Sequence, residues 1–165
     1  MMGFLRNAWV RRALEATLAA VFVYASYHKI IDPPDFAKQV YNYKITPGQL
    51  INLVAIYLPW VELVAGAALV LGLLGVPGRR GAAVLVGAML LVFIAALSFN
   101  LLRDHPVACG CFEGSSAAPK TREELFSDMW ETILRDAGML VMAAWALWAG
   151  RTSAGPEASG AEAAA

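Results

Sequence analysis

The stretch that decides the fold is Leu50–Leu74, LINLVAIYLPWVELVAGAALVLGLL, in which Glu62 is the one charged residue and Pro59 the one proline. As a helix it would be about 37 Å long at 1.5 Å per residue, enough to cross the roughly 30 Å hydrocarbon core of a bilayer. Apolar runs longer than about 18 residues read as transmembrane helices, because backbone groups in lipid must be satisfied within the segment. Pro77-Gly78 then breaks the chain, and Gly81–Leu102 repeats the pattern with no charge at all. So short a turn makes these two spans antiparallel neighbours. Upstream, an apolar run from about residue 8 to 30 gives a first span. Glu15 interrupts it and no convincing cleavage site precedes His28-Lys29, so it reads as a retained helix rather than a signal peptide. Downstream, Asp136–Gly150 is shorter and extends back toward Met129, giving a fourth span over about 133–150. The fold expected is all-α: an integral membrane four-helix bundle with spans at about 8–30, 50–74, 81–102 and 133–150.

Composition agrees. The chain of 165 residues is 59% hydrophobic and 16% charged, with 13 basic and 13 acidic residues. Zero net charge and the absence of a basic stripe interleaved with aromatics exclude a nucleic-acid binder. Residues 151–165, rich in Ala, Gly, Ser and Glu, read as a disordered tail. Arg6, Arg11 and Arg12 before the first span, Arg79 and Arg80 in the short turn and Arg151 after the last place both termini in the cytoplasm. Lys29, Lys38, Lys44, Arg103, Lys120 and Arg122 fall to the two longer, partly acidic outer loops.

Those outer loops carry amphipathic patterns. Phe36, Val40 and Tyr43 follow Asp32-Pro33-Pro34-Asp35 at helical spacing. Thr121-Arg122-Glu123-Glu124 is a capping box ahead of Leu125, Phe126, Met129, Trp130 and Ile133, expected to lie on the membrane surface before entering the fourth span. Thr46-Pro47-Gly48-Gln49 reads as a second capping box, opening the Leu50 span. Ala16/Ala20 and Ala83/Gly87 are small pairs four apart that suit close helix contacts.

Cys109-Gly110-Cys111, the two cysteines of the chain, lie about seven residues beyond the third span on the non-cytoplasmic side, where disulfides persist. Nearby cations lower a thiol pKa, and Arg103 and His105 are at hand. A disulfide closing so small a ring is strained and readily exchanged, while it constrains almost no chain, which favours redox exchange over a staple. Two alternatives stand beside this: His105, Cys109 and Cys111 as soft ligands for Cu(I) or Zn(II), with His28 a more distant addition, and a structural pair. Two cysteines cannot run an internal relay, so the pair must exchange with a partner and be reset by a cofactor, a quinone or a second partner. Glu62, near mid-span beside Pro59, is costly in lipid and reads either as a proton-handling or cofactor-binding acid or as a structural acid bonded to Ser26, Ser98 or Asn100. Glu15 is expected to pair with Arg11 or Arg12 along its own helix.

Taken together, Lys29-Ile30, Asp32-Pro33, Phe36-Ala37, Val40, Tyr43, Leu58-Pro59-Trp60, Glu62-Leu63, Cys109-Gly110-Cys111-Phe112 and Arg135-Asp136 resemble, in that order, the MauE-type, DoxX-like family of redox-associated membrane proteins. One departure is that Glu113 stands where the family's Cys-Gly-Cys-Phe motif usually continues with Gly. The resemblance implies a four-helix bundle of the bacterial inner membrane. Named members are needed to make methylamine dehydrogenase, whose small subunit is rich in disulfides, and DoxX-like relatives are linked to quinone-coupled sulfur chemistry. The expectation is a thiol-disulfide protein acting on a thioredoxin-like partner or a maturing client outside the cytoplasm. Cys109, Cys111 and Glu62 would be its working residues, supported by Gly110, Phe112, His105, Arg103, Pro59 and Trp60, with a quinone as candidate cofactor. The alternative is a non-catalytic accessory or maturation subunit of a larger membrane complex.

Overall fold

The computed structural model describes residues 8–107 and 121–152. These form α1 (Ala8–Ile31), α2 (Pro33–Asn42), a 3₁₀ turn at Gly48–Leu50, α3 (Ile51–Leu73), α4 (Arg79–Leu102) and α5 (Arg122–Thr152). No strand occurs among the described residues.

Each junction has a local cause. Pro33 and Pro34 cannot donate into α1, so they stop it and occupy the first turn of α2. Asp32 caps that turn, its Oδ1 accepting from the Asp35 N–H at 3.1 Å. α3 closes with Gly75 at φ +93°, where the Val76 N–H reaches the Leu71 carbonyl (3.1 Å) and the Gly75 N–H reaches Gly72 (3.2 Å), a Schellman cap. Gly78, at φ +110°, then turns the chain into α4. Thr121 and Glu124 form the capping box expected of them: the Thr121 N–H donates to Glu124 Oε2 (2.7 Å) and the Glu124 N–H to Thr121 Oγ1 (3.3 Å).

Other expectations fail. The box at Thr46 is not made, because Pro47 sits extended at ψ 138° and the chain enters α3 through the 3₁₀ turn with no side-chain cap. The segment after Thr121 is not a separate surface helix. It is the first half of α5, a single helix of 31 residues, since no glycine or proline interrupts the chain before Gly138. Among the described residues two helices are long and apolar enough in themselves to cross a membrane, Gly48–Leu73, which takes in the 3₁₀ turn, and Arg79–Leu102, where four spans are expected. Charges at both ends of α1 and along the first half of α5 account for the difference.

α3 and α4 are apolar all round. Val64, Leu71, Leu91 and Val92 face outward while Ala65, Leu69, Val86 and Leu90 are buried, the distribution of a helix with no water-facing side. The main core gathers Leu18 and Phe22 of α1, Leu69 of α3, Val86 and Leu90 of α4, and Met139 and Ala143 of α5. α1 meets α3 at Gly66, where an added Cβ would lie 3.0 Å from Val23 Cγ2 and 3.3 Å from the Ala19 carbonyl. Ala16 and Ala20, the small pair expected at such a contact, are exposed instead, because they flank the buried stripe of Glu15, Leu18, Ala19 and Phe22 rather than lying in it. Ala83 is buried and Gly87 faces Leu140 across α4 and α5. α2 lies along the first half of α3, Phe36 and Val40 packing on Ala55. Beside it, the Lys44 ammonium sits 3.2 Å from the Tyr41 ring centroid and holds the phenol below its ordinary pKa through a hydrogen bond and charge attraction.

Candidate functional site: a buried ion pair below an apolar cavity

Lys29, near the end of α1, reaches Glu62 in the middle of α3. Its Nζ donates to Oε1 at 2.6 Å and to Oε2 at 2.8 Å. Lys29 is 5% exposed and Glu62 1%. Desolvating two ions costs several kcal/mol each, so the site must supply compensation. It does so through two charge-assisted hydrogen bonds and through the rings of Phe36 and Phe93, whose centroids lie 5.1 and 5.3 Å from the ammonium. Asp136 of α5, 3% exposed, completes the group. Its Oδ1 accepts from Arg135 Nε and Nη2, both at 3.2 Å. Lys29, Glu62, Arg135 and Asp136 line one cavity of about 30 Å³, the space of a water molecule. Two cations and two carboxylates leave the group formally neutral.

A larger cavity, about 200 Å³, opens on the same residues. Lys29 and Asp136 also line it, and the rest of its wall is mostly apolar: Val54 and Leu58 of α3, and Val92, Phe93, Ala96 and Leu97 of α4. Phe36, Gln39, Val40 and Tyr43, with Ile45 and Thr46 of the loop that follows α2, complete it. Val92 is 65% exposed on the outer face of α4, so the cavity reaches the side of the molecule as well as its end.

The end of α4 ties the following loop to this cavity. Asp104 takes φ +54°, letting the His105 N–H reach the Asn100 carbonyl at 3.0 Å and the Asp104 N–H reach Leu101 at 3.1 Å. His105 Nε2 lies 3.1 Å from the Asn42 carbonyl, at the end of α2. Arg122 pairs with Asp104. Val107 is buried against Leu97 and Met129 beside Tyr43, its N–H on Met129 Sδ at 3.4 Å. Tyr43 and Leu97 thus serve both the cavity wall and the cluster that anchors Val107, two residues before Cys109. Cys109, Gly110, Cys111 and Phe112 themselves lie outside the described residues.

The sequence model described as Methylamine utilisation protein MauE matches residues 7–149. This chain belongs to the MauE family. A curated methylamine utilization protein MauE of Paracoccus denitrificans is 36% identical over 148 residues, 89% of this chain and 72% of the relative. One of Paracoccus versutus is 31% identical over 144 residues, 87% and 71%. One of Methylophilus methylotrophus is 34% identical over 96 residues, 57% and 48%. No solved structure matches. Much of the MauE resemblance converges on this one place. Lys29, Phe36, Val40, Tyr43, Leu58, Glu62, Arg135 and Asp136 all line one or other cavity.

Other expected site residues fall elsewhere. Pro59 is buried in α3 beside Glu62's turn, but Trp60 is exposed on its outer side. Arg103 is exposed and lies over the Phe99 ring, 5.0 Å from its centroid. His28 packs edge-on to Tyr24. No cluster of metal-ligating side chains occurs among the described residues. Of the partners expected of Glu62, Ser26 Oγ donates instead to the Val23 carbonyl (2.8 Å) and Asn100 Nδ2 to the Ala96 carbonyl (3.2 Å). The true partner, Lys29, is a helix residue and not the loop cation of the sequence reading. Glu15 pairs with Arg79 across two helices (3.7 Å), not with Arg11 or Arg12, because its side chain turns into the core.

Proposed function

We propose that this chain is a multi-pass protein of the bacterial inner membrane that serves methylamine utilisation, its four long helices forming a transmembrane bundle. In this reading α1 and α5 cross beside α3 and α4, with Glu15, Lys29 and Asp136 buried and paired inside the bundle. Cys109 and Cys111 face the periplasm and exchange disulfides with a thioredoxin-like partner or a maturing client.

The observation that carries the reading is the anchoring of Val107 and His105 against Met129 and the end of α2. Cys109 follows Val107 by two residues in the chain, so the dithiol leaves the helical body from an anchored point. In the exchange, a thiolate of the pair attacks the partner's disulfide to give a mixed disulfide, and the second thiol then resolves it, releasing the reduced partner. Run in reverse, the oxidised pair accepts the electrons of a client dithiol.

The test is a trap. Cys109→Ser and Cys111→Ser should each abolish function while leaving membrane expression intact, and one of them should accumulate a reducible covalent adduct identifiable by mass spectrometry. Absence of an adduct from both variants, with loss of bound metal on His105→Ala, would transfer the site to the metal reading. Loss of membrane expression in both would make the pair structural.

A further inference from the structure

We propose that the 200 Å³ cavity takes the end of one acyl chain of a bilayer phospholipid, entered sideways past Val92. This rests on the reading that the chain crosses the membrane, and on no thiol chemistry.

The depth of the opening decides the occupant. Val92 lines the cavity and is also 65% exposed on the outside of α4. It stands about 20 Å from the Arg79 end of that helix and about 15 Å from the Leu102 end, at 1.5 Å per residue. No charged residue follows Arg80 in α4. A helix set across a hydrocarbon core of about 30 Å has its middle roughly 15 Å from the headgroups on either side. What meets the opening is therefore the end of an acyl chain, while headgroups and water stay at the interfaces.

The interior fits that occupant. Val54 and Leu58 of α3, with Ala96 and Leu97 of α4, continue the apolar wall inward from Val92. An apolar cavity of roughly 150 Å³ takes up benzene, so 200 Å³ has room for a terminal methyl and several methylenes. The two charged residues on the wall ask for no headgroup. Lys29 is held by Glu62 and Asp136 by Arg135, and they are only 5% and 3% exposed. The polar Gln39 and Thr46 belong to α2 and the loop after it, not to the helix that carries the opening. A chain moving from lipid into this space gains no hydrophobic transfer. It gains the dispersion contacts that the lining atoms lack when nothing lies against them, so the site selects by shape.

The experiment uses the full chain in nanodiscs of phosphatidylcholine carrying a diazirine near the end of one acyl chain, irradiated and mapped by peptide mass spectrometry. Val40 and Leu97 line the cavity and are 9% and 2% exposed, so bulk lipid does not touch them. Both should carry lipid adducts, as should Leu91, which faces outward at 55% exposure. Ala96→Phe fills the cavity from α4 and Val54→Phe fills it from α3. Each should abolish the adducts on Val40 and Leu97 and keep those on Leu91, with helical content unchanged. A phosphatidylcholine with the diazirine on its headgroup should leave Val40 and Leu97 unlabelled. The proposal is overturned if wild-type Val40 and Leu97 stay unlabelled while Leu91 is labelled, a result that decides the matter even where a filled variant fails to fold. It is also overturned if both filled variants keep the inward adducts, or if the headgroup probe marks Val40 and Leu97 equally. An unlabelled Leu91 would remove the membrane reading itself, and this proposal with it.

Discussion

Removing the charge of Lys29 alone should unsettle the protein far more than removing both members of its pair. The ammonium and the Glu62 carboxylate are 5% and 1% exposed and share hydrogen bonds of 2.6 and 2.8 Å. Each bond to a charged group contributes about 1.5–3 kcal/mol net, which places the interaction near 3–6 kcal/mol. Breaking a buried pair from one side costs about 3–5 kcal/mol, because the other ion is left uncompensated. Lys29→Met should therefore destabilise by about 3–5 kcal/mol, equivalent to several orders of magnitude in the folding equilibrium. Lys29→Met with Glu62→Leu removes both ions and replaces them with similar volumes, an exchange that is often neutral or stabilising by about 1–4 kcal/mol. The coupling in a double-mutant cycle should exceed about 2 kcal/mol, read by reversible unfolding of the purified chain in mixed micelles. Glu62→Gln, which keeps the shape and one acceptor, should fall between the two. A coupling below about 0.5 kcal/mol, with Lys29→Met no less stable than the double variant, would refute the premise that these charges are desolvated partners.

Gly66→Ala should cost about 1–3 kcal/mol by forcing α1 away from α3, while Gly48→Ala, whose added Cβ meets nothing within 4 Å, should be near neutral; paired thermal melts separate them. Thr121→Ala should cost about 1 kcal/mol and speed hydrogen exchange in the first turn of α5 without altering the core. Lys44→Met should return the Tyr41 phenol upward toward its ordinary pKa; ultraviolet absorbance titration against Tyr41→Phe checks this, and an unmoved titration defeats it. A membrane-impermeant maleimide applied to reduced, intact spheroplasts should label Cys109 and Cys111; labelling confined to lysed cells would reverse the topology.

What could be read in the sequence was whatever neighbouring residues determine. The break at Pro77-Gly78, the capping box at Thr121 and the apolar face of α2 are short-range devices, and each appears in the structure. Thr46-Pro47-Gly48-Gln49 has the same letters as a working box, yet the extended Pro47 and the 3₁₀ turn displace it. The pairing of helices was out of reach. Lys29 and Glu62 are 33 residues apart, and only the register of α1 on α3, set at Gly66, brings them together. The same holds for Glu15 and Arg79. Glu62 was recognisable as a site residue because an acid in an apolar run is conspicuous. Lys29 was not, because it stands between His28 and the Asp32-Pro33 break and reads as the start of a loop.

The early end of α1 has a dynamic consequence. Phe22 lies against Gly66, so Ile31 comes level with about residue 57, leaving α1 roughly 9 Å short of the start of α3 at 1.5 Å per residue. α2 occupies that missing length as a separate piece, joined at Asp32 and held mainly by Phe36 and Val40. Burying two such side chains stabilises by about 3–6 kcal/mol, less than the whole fold should require to unfold. α2 should therefore open as a sub-global unit, with about 3–6 kcal/mol corresponding to a displaced population on the order of one in a hundred to one in ten thousand. Its amides should exchange together and ahead of those of α3. The lifting of this ten-residue helix would then uncover the cavity wall that Phe36, Gln39 and Val40 supply.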